Sequence, residues 1–266
     1  MDGTAYHDNA LGRVCQSLVG HPSRHLKTIG VSGALGQTTT SYLIPGVLAA
    51  GGCATGVLGS LGYFDGCRWR TAPDGTPSPD LLAQWMAKMV ANRCSHAVLE
   101  VARDALAGQL LANVELDVAC ITDVGRGSGF GPRPSRDERT VAELFDCLAP
   151  EGFAIVNMDD PAAESVLARI DGPVLTVGMT RPAEVTAEVV ERFAGEQTFL
   201  LSTENETIPV RTRLTGKENV VNCLVAAAVG LVYGIDLPAI VRGLEAIERI
   251  PARLEGLERD RTKRAA

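Results

Sequence analysis

The stretch that most constrains this chain is KTIGVSGALGQTTTS, from Lys27 to Ser41. Thr28, Ile29 and Val31 make an apolar run suited to a buried strand, Gly33 and Gly36 make a turn, and Thr38, Thr39 and Thr40 open a helical pattern. A strand, a glycine turn and a helix in that order build a phosphate-binding loop. The main-chain N–H groups of the turn and of the first helical turn converge on an anion, and hydroxyls after the turn can hold Mg²⁺. One position departs from that use. A nucleotide-binding loop carries lysine directly before its hydroxyl pair, whereas Gln37 stands before Thr38 and Thr39.

From residue 27 onward, strand and helix patterns alternate. Apolar runs at 28–32, 55–59, 97–101, 118–122, 154–157 and 174–177 read as buried parallel strands. Helical patterns at 39–50, 79–92, 137–148 and 161–170 lie between them. This predicts an α/β fold, a doubly wound and mostly parallel sheet with phosphate-loop topology and ligands at the C-terminal ends of its strands. Residues 184–190, 197–202 and 207–212 read as antiparallel strands, a small subregion near residues 184–212, and two helices follow at 219–233 and 238–248. The expected organisation is an N-terminal helix and linker over 1–26, the main domain over 27–257, and a frayed basic tail over 258–266. The irregular stretch 123–136, with four glycines and three arginines, is either a mobile lid or disorder.

Composition excludes some functions. A net charge of −7 gives no general attraction to nucleic acid or anionic lipid, so neither is an expected partner. Residues 38–64 carry no charge, but Pro45, Gly46, Gly51, Gly52, Gly56 and Gly59 interrupt them. A buried helix and strand therefore fit better than a membrane span. The start of the chain has no basic-then-apolar signal pattern, which points to the cytoplasm. The seven cysteines are scattered without a C-x-x-C, so they read as reduced core residues rather than metal ligands.

Six segments in one order resemble the central ATPase domain of the Mur ligases, most closely the MurE branch, which adds the third amino acid to the peptidoglycan precursor. Residues 20–40 are similar to that family's approach to its loop, whose usual ending is G-T-N-G-K-T-T. Val31 stands five before Gly36, so the general G-x-x-x-x-G-K-[ST] spacing is not met and the family's variant accounts for the loop better. Arg70, Thr71, Ala72 and Pro73 resemble a T-T-P that contacts the UDP-muramoyl-peptide. The HAVLEV of residues 96–101 resembles the strand whose glutamate, here Glu100, holds Mg²⁺. Asn157 to Pro161 resemble N-A-D-D-P, near the nucleotide. Gly216, Asn219 and Asn222 resemble the G-x-x-N-x-x-N helix start, and IPARLE at 250–255 resembles the segment closing the domain.

The resemblance implies ATP and Mg²⁺ as cofactors, a nucleotide or other phosphate compound as ligand, and further Mur-type domains as partners. It implies Gly33, Gly36, Gln37, Thr38, Thr39, Asn157, Asp160, Asn219 and Arg253 at the nucleotide, Thr71 at the substrate, and Thr38 and Glu100 at the metal, to which Asp123 at the next strand end would add an oxygen.

Each residue also has a structural reading. Glu100 suits a salt bridge, Thr38 and Thr39 suit helix capping, Asn157, Asp159 and Asp160 suit a turn before Pro161, and Arg253 suits the surface. The departures fall on the chemistry. Besides Gln37, the family's S-R-D-H-L-D is replaced by Gly125 to Ser128, Val141 stands where a helix carries a carbamylated lysine, and Ala102 and Arg103 replace paired serines. Losing one comparable group costs about 10²–10³ in rate, roughly 3–4 kcal/mol. The expectation is an amide-forming ligase domain impaired in catalysis, or a pseudoenzyme that binds an anion or nucleotide as a scaffold, or a structural remnant that binds nothing.

Overall fold

The computed structural model describes residues 10–73, 77–102, 111, 113–124 and 143–250. Their strands join in one sheet of eleven. An inner strand of this sheet is β1 (Lys27–Ser32), buried at every position after Lys27. Parallel to it run β2 (Thr55–Gly59), β5 (His96–Glu100), β6 (Leu116–Ile121), β7 (Leu148–Asn157) and β8 (Val174–Gly178). With β3 (Gly62–Phe64) and β4 (Trp69–Arg70) at one edge and β9 (Val185–Phe193), β10 (Glu196–Ser202) and β11 (Thr207–Thr212) at the other, the order is β11-β10-β9-β8-β7-β6-β1-β5-β2-β3-β4. The chain builds outward on one side of β1 through β2 and β5, then crosses to β6 on the other. That reversal leaves a crevice at the C-terminal end of β1, where an α/β sheet binds its ligands.

Helices cover both faces. Against one lie α2 (Gln37–Ala50), α5 (Lys217–Val232) and α6 (Leu237–Glu245), burying Leu43, Ile44, Val47, Val225 and Ile240 with Ile29 and Val31 of β1. Gly46 and Gly243 let α2 and α6 cross closely: a Cβ on Gly243 would lie 2.7 Å from the Val47 Cα. Against the other face lie α3 (Pro79–Ala91) and the short α4 (Ala163–Leu167), with α1 (Ala10–Leu18) packed on α3. The uncharged run 38–64 is thus a buried helix and strand, and no helix among the described residues is long and apolar enough to cross a membrane.

Three features depart from the sequence pattern. The strands near 184–212 form the expected antiparallel group, and they also extend the main sheet: β9 (Val185–Phe193) pairs with β8 in parallel at Val177 and Gly178 and runs on beyond its end. Only β10 (Glu196–Ser202) and β11 (Thr207–Thr212) add to it antiparallel. The helix expected over 137–148 is not continued in its described end, where residues 145–147 form a single 3-10 turn and Leu148 already pairs with Leu116 in the sheet. The apolar spacing of Leu144, Phe145 and Leu148 comes from that tight turn leading into a strand. Finally, β3 (Gly62–Phe64) and β4 (Trp69–Arg70) form a hairpin at the sheet edge beyond β2, around the Asp65-Gly66 turn.

Candidate functional site

The loop at the C-terminal end of β1 is held by its neighbours. The Thr122 hydroxyl, just past β6, donates to the Leu35 carbonyl at 2.6 Å, and the Ala34 N–H donates to the Asp123 carbonyl at 2.8 Å. A Cβ on Gly33 would lie 2.2 Å from the Thr122 Oγ1. Gly36 has φ +84 at the start of α2, and a Cβ there would lie 2.2 Å from Oδ1 of Asn222 on α5. That Oδ1 accepts from the Thr40 hydroxyl at 3.2 Å. No side chain caps α2, so the structural use of Thr38 and Thr39 as caps is not realised. The first-turn N–H groups of α2, at residues 37–39, have no intrahelical partner, which is what an anion site at a helix start requires.

Thr38 turns instead to β5. Its hydroxyl donates to the Glu100 Oε1 at 2.5 Å, and Ser60 donates to the same carboxylate from its main-chain N–H at 2.7 Å and its hydroxyl at 3.0 Å. Gly59 permits this approach, since a Cβ there would lie 2.7 Å from the Glu100 Oε2. The carboxylate is thus held by hydroxyl and amide donors, an arrangement a salt-bridge reading does not require. Thr39 is half-buried in the first turn of α2, and Asp123 stands on the other side of the loop, beyond β6.

Two buried polar atoms bracket the loop. Ser32 Oγ and Gln37 Oε1 have no hydrogen-bond partner among the described residues. A buried acceptor left unpaired costs about 1–3 kcal/mol, so this corner is suited to receive a donor or a cation. The uncapped helix start offers main-chain N–H groups to a phosphate, and the Thr38–Glu100 pair supplies the hard oxygens a divalent ion prefers. What the corner does not supply is the positive charge of a lysine at position 37.

The remaining candidates divide. Asn157 Nδ2 donates to the Thr122 carbonyl at 3.0 Å, and Asp160 accepts from the N–H of Val124 at 2.8 Å and of Ala162 at 2.7 Å. Both therefore brace the end of β6 and the start of the α4 turn, the structural use the sequence allowed them. Asn219 Nδ2 donates to the Thr215 carbonyl at 2.7 Å and supports Asn222, which is the residue that reaches the loop. Asn222 stands in the G-x-x-N-x-x-N helix start, and at 4% exposure its amide demands polar partners. Thr71 is exposed just after β4. Arg253, Val141, Arg103 and residues 125–128 lie outside the described residues.

Asp159 shapes the neighbouring turn. It accepts from the N–H groups of Met179, Thr180 and Arg181 at 2.7, 2.9 and 2.9 Å and from the Thr180 hydroxyl at 2.6 Å. Burial pushes its carboxyl up, and these bonds outweigh the push, leaving it below the usual carboxylate range. A depressed folded-state value stabilises above the unfolded one and is lost as the pH falls through the folded value. Asp159→Asn is thus expected to cost about 1–2 kcal/mol at pH 7, a cost that shrinks below about pH 4. Urea titrations of both proteins at pH 7 and pH 3 check this, and an equal cost at both would rule it out.

Comparison with known proteins gives a consistent picture. The family described as "Mur ligase middle domain" matches residues 31–230. A UDP-N-acetylmuramoyl-L-alanyl-D-glutamate--2,6-diaminopimelate ligase of Geobacter metallireducens is 30% identical over 94% of this chain and 50% of its own length. A chloroplastic MurE homolog of Arabidopsis thaliana is 32% identical over 94% of this chain and 34% of its own. The bacterial relatives are thus about twice as long as the segment this chain matches. A solved structure of a ligase of the first name superposes with a TM-score of 0.76 over 90% of this chain and 52% of its own, at 22% identity. A MurF ligase from Thermotoga maritima in complex with ADP superposes with a TM-score of 0.69 over 93% of this chain and 55% of its own, at 15% identity. At these identities the structures establish the fold, while the family match spans the phosphate-type loop, the Glu100 strand and the Asn222 helix; the chain belongs to the Mur ligase family.

Proposed function

We propose that this chain is the nucleotide-handling part of a Mur-type amide ligase, binding ATP with Mg²⁺ at residues 33–39 but weak in phosphoryl transfer. The observation that carries the reading is the joining of Thr38 and Glu100 at 2.5 Å beside an uncapped helix start. In the reaction class of the family, a substrate carboxylate oxygen attacks the γ-phosphorus of ATP, the bond to the bridging oxygen breaks and ADP leaves. An amine then displaces phosphate from the acyl-phosphate, giving an amide. A bound Mg²⁺ would neutralise charge on the phosphate oxygens.

The chain's own residues act around that chemistry. Gly33 and Gly36 bring the backbone close to the phosphates, and the first-turn N–H groups of α2 orient them. Thr38 and Glu100 would hold the metal, with Ser60 fixing the carboxylate. Asn222 keeps the loop from collapsing inward. Gln37 donates a hydrogen bond at most, so charge developing on the transferred group meets no side-chain cation there. Peptidoglycan-precursor chemistry and neighbouring Mur-type domains belong to the same proposal, since the relative named as a UDP-N-acetylmuramoyl-L-alanyl-D-glutamate--2,6-diaminopimelate ligase is about twice as long as the matched segment.

Calorimetric titration with MgATP tests the reading. Heat with a midpoint in the micromolar to low millimolar range is expected, accompanied by phosphate release far below that of a ligase with a loop lysine. Silence at saturating nucleotide would discard it. Binding without any phosphate release, with or without amino acids, would favour the second reading, a non-catalytic nucleotide-binding scaffold, for which the uncharged Gln37 is the specific observation.

A further inference from the structure

The edge hairpin turns against the end of α3, and a cysteine stands on each side of that contact. Asp65 opens the turn: its N–H donates to the Arg68 carbonyl at 3.3 Å, and its carboxylate accepts from the N–H groups of Cys67 and Arg68 at 2.9 and 2.8 Å. Gly66 lies inside the turn with φ +93. From the α3 side, Asn92 Nδ2 donates to the Asp65 carbonyl at 2.9 Å, and the Cys94 thiol donates to the same oxygen at 3.6 Å. A Cβ on Gly66 would lie 2.4 Å from the Cys94 sulfur. That sulfur therefore sits directly against the turn, and Cys67 is one peptide unit, about 3.8 Å, further along it.

The two thiols differ in access. Of the seven cysteines Cys67 is the one that is exposed, whereas Cys94 is 6% exposed and packed in the core with Trp85 and Met89. Burial pushes the Cys94 thiol up to about 11, with the neighbouring Cys67 and Asp65 adding to the push. The thiolate is the reactive form, so Cys94 is slow toward a solute and reacts after its neighbour. Arg68, Lys88 and Arg93 are exposed around the turn, and the Lys88 charge acts on the Asp65 carboxylate. The surface beside Cys67 is thus basic and attracts an acidic reagent. What the turn controls is the hairpin: β3 and β4 are only three and two residues long, and Trp69 at their end stacks on Tyr42 of α2 at 6.2 Å between centroids.

We propose that Cys67 is a thiol-modification site resolved by Cys94: an acidic low-molecular-weight disulfide, such as glutathione disulfide, converts the pair to an internal disulfide that clamps the edge hairpin to α3. The Cys67 thiolate attacks one sulfur of the reagent and forms a mixed disulfide, and the first glutathione leaves as a thiolate that takes up a proton. Rotation of the exposed Cys67 side chain about χ1 then turns its sulfur toward Cys94. Cys94 loses its proton to water and attacks the Cys67 sulfur, and the second glutathione leaves in the same way. Two protein thiols are oxidised and one disulfide is reduced to two thiols. In a reducing compartment such a bond is transient, which suits a sensor rather than a permanent staple. The proposal is independent of the nucleotide reading.

Peptide mapping of the full chain tests it. After incubation with glutathione disulfide and alkylation of the remaining thiols, the intact mass is expected to show the loss of two hydrogens and the map a linked Cys67–Cys94 peptide pair, both reversed by dithiothreitol. Cys67→Ser is expected to leave Cys94 free and alkylated, and Cys94→Ser to stop at a glutathione adduct on Cys67. Hydrogen exchange of residues 62–70 is expected to slow about tenfold in the oxidised chain. If Cys94→Ser does not fold, the parent and Cys67→Ser still decide, since position 67 is exposed. An unreacted Cys67, a lasting glutathione adduct in the parent, a Cys67–Cys67 dimer, or oxidation of Cys94 in Cys67→Ser would each overturn the pairing. Exchange unchanged by the disulfide would overturn the clamp.

Discussion

Gly36→Ala is expected to unfold the phosphate loop's geometry and to lower stability by about 2–5 kcal/mol, the sum of a left-handed backbone penalty and an overpacking penalty. The first arises because Gly36 has φ +84, a conformation that a side chain disfavours. The second arises because the new Cβ would meet the Asn222 Oδ1 at 2.2 Å, and that oxygen is tied to the Thr40 hydroxyl. Gly52 provides the control. It has nearly the same φ, +82, with nothing within 4 Å of an added methyl group, so Gly52→Ala carries only the backbone cost of about 1–2 kcal/mol. Urea titrations with unchanged m-values would measure both. Equal losses would show that the Asn222 contact does not shape the loop. MgATP binding should disappear in Gly36→Ala and persist in Gly52→Ala.

Gln37→Lys is the second large expected effect, and it runs the other way. Restoring a cation at the head of α2 is expected to tighten MgATP about ten- to hundredfold, as a charge-assisted bond to phosphate is worth about 1.5–3 kcal/mol. It also removes the buried amide oxygen that has no partner among the described residues. The gain should shrink with added salt, because part of it is a screened attraction. Under the proposed reading phosphate release should rise less than affinity, since the resemblance implies a histidine and a carbamylated lysine where the sequence has Gly125 to Ser128 and Val141. Calorimetry at two ionic strengths with a phosphate-release assay separates these effects. An unchanged midpoint would show that position 37 does not face the phosphates.

The parallel core was legible because its strands are buried on both faces and therefore read as continuous apolar runs: 28–32, 55–59, 97–101, 118–122 and 174–177 all became strands within about two residues at each end. The β3–β4 hairpin was missed although Asp65-Gly66 is a turn signal, because strands of three and two residues leave too short a pattern to see. The end of the 137–148 segment was misread because Leu144, Phe145 and Leu148 satisfy helical spacing while a 3-10 turn places them. Strand pairing of β9 depends on where β8 ends, and no local pattern contains that.

The same division runs through the site. The placement of Gly33, Gly36, Gln37 and Thr38 in one strand-to-helix turn, and of Glu100 at a strand end, could be read from the chain, because such a turn is a local structure of contiguous residues. Sequence alone also determined that position 37 brings no charge. Only the tertiary structure decided that Glu100 is shared by Thr38 and Ser60, that Asn222 rather than Asn219 supports Gly36, and that Asn157 and Asp160 are spent on bracing loops. It also decided that Trp69 of β4 stacks on Tyr42 of α2. Those outcomes depend on side chains up to 182 residues apart being brought within hydrogen-bonding reach, which burial and sheet order dictate and composition does not encode.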